Sequence, residues 1–266
     1  MKKQPTIVTG RIKLRRFAPD YCAGLDKKKT RARTDARGRR IGDLQPLLYA
    51  NAHHAVLLIF QGMDASGKDG AIRTVLQHVN PAGVQTANFK VPSEEEKAHD
   101  FLWRIHHAVP RAGSIGVFNR SHYEAVLAER VLGLVPRQTW RRRYGEIVDF
   151  ERMLVANGVL ILKFHLHLSR REQAKRFKER LADPKKNWKF SHADLATRQR
   201  WPDYIDAYED MLNATSHPAA RWHIVPADRN WYRDHVVAGI VVKALDALKL
   251  KWPKPAKNLA KVRIGK

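Results

Sequence analysis

Seven consecutive residues, Gly62-Met63-Asp64-Ala65-Ser66-Gly67-Lys68, have the spacing with which a polypeptide holds phosphate. Two glycines let the chain turn tightly enough for backbone N–H groups to converge on phosphate oxygens, and the lysine after the second glycine adds a mobile positive charge. An apolar run, Ala55 to Phe60, precedes the loop and a helical pattern follows it, so the positive end of that helix faces the same anion. The expected phosphate-holding set is therefore Gly62, Ala65, Ser66, Gly67, Lys68, Asp69 and Gly70, with Arg73 one turn into the helix.

The loop is irregular in an informative way. Asp69 stands where a hydroxyl residue usually holds a metal, and Asp64 lies inside the loop. A carboxylate beside bound phosphate is repulsive unless a cation sits between them. Two acids therefore point to one or two Mg2+ ions bridging carboxylate and phosphate, because hard oxygen ligands suit that metal. Asp69 also has a plainer reading, an acid favoured by the helix dipole. A later strand ends in Asn119-Arg120-Ser121-His122-Tyr123-Glu124. Asn119 is neither a strong metal ligand nor a base, which leaves Glu124 as the nearest second metal-side carboxylate. Arg120 is placed to clamp a transferring phosphoryl group, with a surface ion pair as the alternative.

Residues 170–200 hold eleven Lys and Arg against four Asp and Glu. Arg176 and Arg180 fall four apart on one helical face, with Lys185, Lys186 and Lys189 beyond them. Two helices joined by a basic turn are expected here, either a solvated charged face or a lid over a polyanion; Trp188, Trp201 and Tyr204 among the charges favour the lid. His165 and His167 share one face of a strand with no third ligand nearby, so zinc is not favoured. No elbow motif supports Ser/His/Asp chemistry.

The elements that must position these groups read as alternating β and α. After Ala55–Phe60, the segments 84–89, 115–118, 159–168 and 222–225 are strand-like and separated by helix-length stretches. The expectation is an α/β fold: an open parallel five-stranded sheet with helices on both faces and ligands at the strands' C-terminal ends. The chain has 266 residues and a net charge of +24, from 50 Lys and Arg against 26 Asp and Glu, which implies a polyanionic partner. Cys22, the only cysteine, excludes an intramolecular disulfide framework. Neither a signal peptide nor a membrane span is legible, and a cytoplasmic location is expected.

Taken together, the 62–70 loop, Asn80-Pro81, Phe101-Leu-Trp-Arg104, Phe118-Asn-Arg-Ser-His-Tyr-Glu124 and Asn187-Trp-Lys-Phe190 resemble the polyphosphate kinase 2 family. That resemblance implies a P-loop kinase fold like that of thymidylate kinases, with a lid. It implies reversible Mg2+-dependent phosphoryl transfer between polyphosphate and AMP, ADP or ATP, by a protein that assembles with copies of itself. It makes Asp64 and Lys68 the essential loop residues, Asn119 and Arg120 the second motif, and Arg176, Arg180 and Asp194 lid contributors, Asp194 on the metal side. His122-Tyr123-Glu124 is closer to the branch that accepts both AMP and ADP.

The domain layout expected is a basic arm over 1–40, a kinase domain over 41–250 with its lid at about 170–200, and a peripheral tail over 251–266. Two rival readings remain: an ATP-dependent nucleoside or nucleotide kinase, and a nucleic-acid-binding protein with a degenerate loop. The sequence shows no nucleic-acid-binding signature, so no specific nucleic-acid or membrane partner is expected.

Overall fold

The run Ala55–Phe60 is apolar at every position, and an extended chain alternates its side chains between two faces, so both faces of this strand need cover. In the computed structural model, which describes residues 6–255, 257 and 262–263, it forms β2 (Ala55–Gln61) inside the sheet. β3 (Val84–Asn88), β4 (Ile115–Asn119), β5 (Val159–His167) and β6 (Trp222–Pro226) run parallel with it. The expected five parallel strands are present, and β1 (Thr6–Ile7) adds a sixth, antiparallel to β6. The order across the sheet is β1-β6-β5-β2-β4-β3.

Among the described residues ten α-helices surround the sheet. They are α1 (Lys27–Asn51), α2 (Lys68–Leu76), α3 (Glu94–Ala98), α4 (Trp103–His107), α5 (Ala128–Val131), α6 (Arg137–Ala156), α7 (Arg170–Ala182), α8 (His192–Gln199), α9 (Trp201–Thr215) and α10 (Asn230–Ala247). Val56, Leu58 and Phe60 of β2 pack on one face with α1, α2 and α10, while Ala55, Leu57 and Ile59 pack on the other with α4, α5, α6 and α9. Each buried Leu, Ile or Phe contributes roughly 1.5–3 kcal/mol.

The N-terminal region departs from the expected layout. The boundary placed at residue 40 falls inside α1, whose buried stripe begins Thr30, Thr34, Gly38 before reaching Ile41, Leu44 and Leu48. The helical period is there, but its first turns are written in small and polar residues, so apolar periodicity alone does not show it. Upstream, Val8, Leu14 and Phe17 are buried, and Glu209 accepts from the Leu14 N–H and the Lys13 ammonium, both at 2.7 Å. Residues 1–5 of the expected arm and most of the tail beyond 255 lie outside the described residues.

Topology fixes where a ligand binds. From β2 the chain crosses to β3 at the far edge, returns through β4, and then continues to β5 on the other side of β2. Connections therefore diverge at the C-terminal end of β2, which opens the crevice that parallel α/β sheets use for ligands. Among the described residues no helix is long and apolar enough to cross a membrane.

His165 and His167, on one face of β5, are buried, and both imidazoles are held below their ordinary range by that burial, His167 at about 4. A depressed folded value means that stability is complete above pH 6.5 and is lost as pH falls toward 4, because the unfolded chain takes up the proton first. For His167 the difference amounts to roughly 3 kcal/mol. His167→Gln is expected to flatten the decline of Tm between pH 6.5 and 4 by several degrees, measured by scanning calorimetry; an unchanged decline would assign the acid sensitivity elsewhere.

Candidate active site

The loop between β2 and α2 adopts the conformation that its sequence allows. Ala65 and Gly67 have φ of 63° and 90°, in the left-handed region. Behind the loop, three side chains hold its carbonyls. Gln173 donates to Asp64 O at 2.9 Å, Arg176 to Ala65 O at 2.8 Å, and Arg233 reaches Ser66 O at 3.4 Å. The C=O and N–H directions are opposed along the backbone here, so carbonyls tied from behind aim amides at the mouth. Gly67 is glycine for a second reason: a Cβ there would collide with the Arg233 guanidinium.

These contacts reassign Arg176. Its remaining donors go to Glu172 at 3.0 Å and to the carbonyls of Ala227 and Asp228 at 2.7 and 3.0 Å, and the side chain is buried. It braces the loop rather than projecting from a lid. Arg180, one turn on, is the more open of the two; it pairs with Asp194 at 3.3 Å and faces the clefts described below.

On the front of the loop, Asn119 donates to Asp69 at 2.8 Å and Arg120 donates to Asp64 at 2.7 Å, so the second motif meets both loop acids. Arg120 is held in a left-handed conformation, φ 63°, and its N–H is tied to Phe60 O at the end of β2. The Lys68 ammonium folds back to Gly62 O at 2.8 Å. Burial lowers its pKa, as does Arg120, while Asp64, Glu124 and Asp69 oppose the shift. Burial raises the Glu124 carboxyl against the pull of Arg120 and Lys68. Arg120 itself is raised: burial disfavours its charge, but Glu124 and Asp64 more than offset that.

Two clefts meet at the loop. One, of about 740 Å3, runs over the α2 N-terminus between α1, α7 and the start of α10, and is lined by Arg31, Arg73, Lys175, Arg176, Arg180, Lys186, Lys189 and Arg233 as well as Gly67 and Gly70. The other, of about 400 Å3, contains Asp64, Lys68, Asp69, Asn119, Arg120 and Asp194 together with Phe89 and Lys90. Arg180 and Lys189 border both. Lys185 borders neither, and Lys186 is paired with Asp183 at 2.7 Å. The basic turn joining α7 to α8 (residues 183–191) is therefore present, but its lysines are not equivalent.

Asp64, Asp69 and Asp194 share the smaller cleft, whereas Glu124 opens on a separate cavity of about 50 Å3 with Tyr204 and Tyr208, which Asp64 and Arg120 also border. Among the described residues no three of His, Cys, Asp and Glu converge to hold a metal by protein ligands alone. Hard carboxylate oxygens beside the loop suit a divalent cation that would take one or two ligands from the protein.

Residues 24–253 match the polyphosphate kinase 2 family. The chain belongs to that family. It is 47% identical over 266 residues to an AMP/ADP-polyphosphate phosphotransferase of Meiothermus ruber, covering 99% of this chain and 100% of the relative. It is 50% identical over 226 residues to an ADP-polyphosphate phosphotransferase of Rhodopseudomonas palustris, covering 80% and 78%. The crystal structure of polyphosphate kinase 2 from Arthrobacter aurescens TC1 superposes with a TM-score of 0.93 at 42% identity, over 96% of this chain and 92% of that one.

In this polyphosphate kinase 2 chain, sequence reasoning missed Arg233, Gln173, Arg31 and Lys175. Arg233 left a signal, a charge in a helix whose following turns, Val236 to Val242, are almost wholly apolar. The other three sit among many similar residues and are singled out only by the fold.

Gly67→Ala is expected to lower kcat/KM at least 100-fold with the far-UV circular dichroism unchanged, because a Cβ strains a left-handed residue and displaces Arg233 from beneath the loop. Activity within threefold of the parent would show that the guanidinium is not needed there.

Proposed function

We propose that this chain transfers phosphoryl groups between inorganic polyphosphate and adenine nucleotides, AMP to ADP and ADP to ATP, reversibly and with Mg2+, in the cytoplasm. The observation that carries this reading is the pair of clefts joined at one phosphate loop. The larger is a long groove lined chiefly by Arg and Lys, suited to a chain of closely spaced negative charge that has no base to recognise. Val91 and Arg120 line the smaller cleft, and their chain neighbours Pro92 and Ser121 line a pocket of about 160 Å3, in which Arg143 lies over the Phe101 ring at 4.8 Å; this pocket is assigned to the nucleobase. In support, the Meiothermus ruber relative is named an AMP/ADP-polyphosphate phosphotransferase and the Rhodopseudomonas palustris relative an ADP-polyphosphate phosphotransferase.

In this reading polyphosphate lies in the larger cleft with its terminal phosphoryl group over the loop amides, and the nucleotide phosphate enters from the smaller one. A nucleotide phosphate has a second pKa of about 6, so the attacking oxygen is mostly ionised near neutrality and no strong general base is needed. The oxygen attacks the terminal phosphorus, the bridging P–O bond breaks, and the electron pair leaves with the shortened polyphosphate. What the protein must supply is alignment of two polyanions and relief of their repulsion. Lys68 leaves Gly62 O for the transferring phosphoryl oxygens, whose negative charge favours its ammonium form. Arg120 spans from Asp64 to the acceptor side, and Arg180 with Lys189 closes over the junction as the lid. The chemistry that Mg2+ would supply is screening of phosphate charge, with Asp64 and Asp69 as its protein ligands.

Assays of ATP formation from ADP, and of ADP formation from AMP, with long-chain polyphosphate and Mg2+ are expected to show turnover that Asp64→Asn abolishes. No turnover with either nucleotide would overturn the proposal and direct attention to ATP-dependent phosphorylation. Lys68→Ala is expected to lower kcat by about 100-fold or more with KM for polyphosphate within about threefold, because its charge matters most as phosphoryl charge redistributes. Equal losses in kcat and affinity would make Lys68 a docking residue instead.

A further inference from the structure

β5 buries a lysine at its centre. Lys163 is fully enclosed, and its three donors are all used: on Glu151 at 2.6 Å, on the Tyr123 hydroxyl at 2.9 Å and on Thr215 O at 2.8 Å. Glu151, also fully enclosed on α6, accepts from Lys163, from Tyr123 at 2.7 Å and from His217 at 2.9 Å, and His122 lies 3.4 Å from it. An isolated buried charge costs several kcal/mol, so a pair this completely bonded is a rigid unit. None of its members borders the two large clefts.

Its location gives it a use. Tyr123 stands between Arg120 and Glu124 in a single short turn, a 3-10 helix over His122–Ala125. The first half of that turn is tied by the Arg120 N–H to Phe60 O, the Gln61 amide to Ser121 Oγ at 3.2 Å and the Tyr123 N–H to Ser121 Oγ at 3.3 Å. Its end is tied by Arg143, which donates to Ala125 O at 3.0 Å. Between these ties the middle of the turn is held by Tyr123, whose hydroxyl is bonded to both members of the ion pair and whose ring packs edge-on to Trp222 at 4.8 Å.

We propose that Tyr123 is a positioning residue for phosphoryl transfer: anchored on the buried Lys163–Glu151 pair, it sets the height at which the 120–124 turn presents Arg120 and Glu124 to the phosphate loop. Arg120 already occupies a left-handed backbone conformation, which persists only where its surroundings enforce it. A turn that loses the tie at its middle has room to shift, which lets that residue relax and lengthens the Arg120–Asp64 contact of 2.7 Å. The inference rests on the phosphoryl-transfer reading above, whose own failure would appear as an inactive parent enzyme.

The test is Tyr123→Phe, which deletes only the hydroxyl, assayed in the parent and in an Arg120→Ala background. In the parent, kcat is expected to fall about tenfold, equivalent to roughly 1.4 kcal/mol of barrier, with KM for both substrates within about twofold. In Arg120→Ala the same substitution should change kcat less than about twofold, since the group it positions is gone. His217→Phe, which removes a hydrogen bond to Glu151 without touching the turn, should lower Tm and leave kcat unchanged. Equal losses in both backgrounds, an unchanged kcat for Tyr123→Phe, or a matching kcat loss in His217→Phe would each overturn the proposal and leave the cluster a purely structural one.

Discussion

A loop that presents its amides to phosphate must have its carbonyls held on the other side, and in this protein that task falls to Gln173 and two buried arginines. Arg176 from α7 and Arg233 from α10 approach the 62–68 loop from behind and fill the space beneath it with guanidinium. Removing either would leave carbonyls without donors in a buried place, where a missing partner costs about 1–3 kcal/mol. The dependence runs outward from there. α7 and α10 must stand close together for both arginines to reach the loop, α10 packs on α1 and α2, and Ser169 caps α7 while donating to Asp228, which follows β6. Sheet, loop and the start of α7 are thus one mechanical unit.

The same arginines explain part of an unusual composition. A net charge of +24 suggests a uniformly basic surface, but the structure divides the basic residues by task. Lys163 is buried and saturated with protein acceptors; Arg176 and Arg233 are buried against the loop at the edge of the larger groove, and Arg73, Lys175, Arg180 and Lys189 also line it. The groove-lining charge is what an incoming polyanion meets. Its density along one side of the phosphate loop distinguishes this site from that of a kinase using a compact nucleotide donor, which has no need of so long a basic groove.

The acids divide in a similar way. Asp64 and Asp69 lie in the phosphate cleft and are partnered by Arg120 and Asn119, which keep them oriented before substrate arrives. Glu124 sits on the far side of Arg120 in a small cavity with two tyrosines, and burial raises its carboxyl. Nearness along the chain made Glu124 look like a partner of the loop acids. In three dimensions it acts first on Arg120, whose charge it supports.

Much of this was determined by the sequence alone. β2 is legible because a strand buried on both faces must be apolar at every position, and the phosphate loop because glycine spacing and a following lysine are local requirements of the chain itself. The strands 84–88, 115–119, 159–167 and 222–226 follow from the same local signals. The tertiary structure decided what depends on residues far apart in sequence. It found α1 upstream of residue 40, where a stripe of Thr30, Thr34 and Gly38 carries no apolar signal until another helix packs on it. It turned Arg176 away from the lid toward Ala65 and brought Arg233 across the chain to Ser66. It also placed Lys163 against Glu151, so that a charge inside an apolar strand became an anchor. A pattern of residue types can state which groups are available, but a hydrogen bond between elements more than a hundred residues apart is settled only by the packing that brings them within 3 Å.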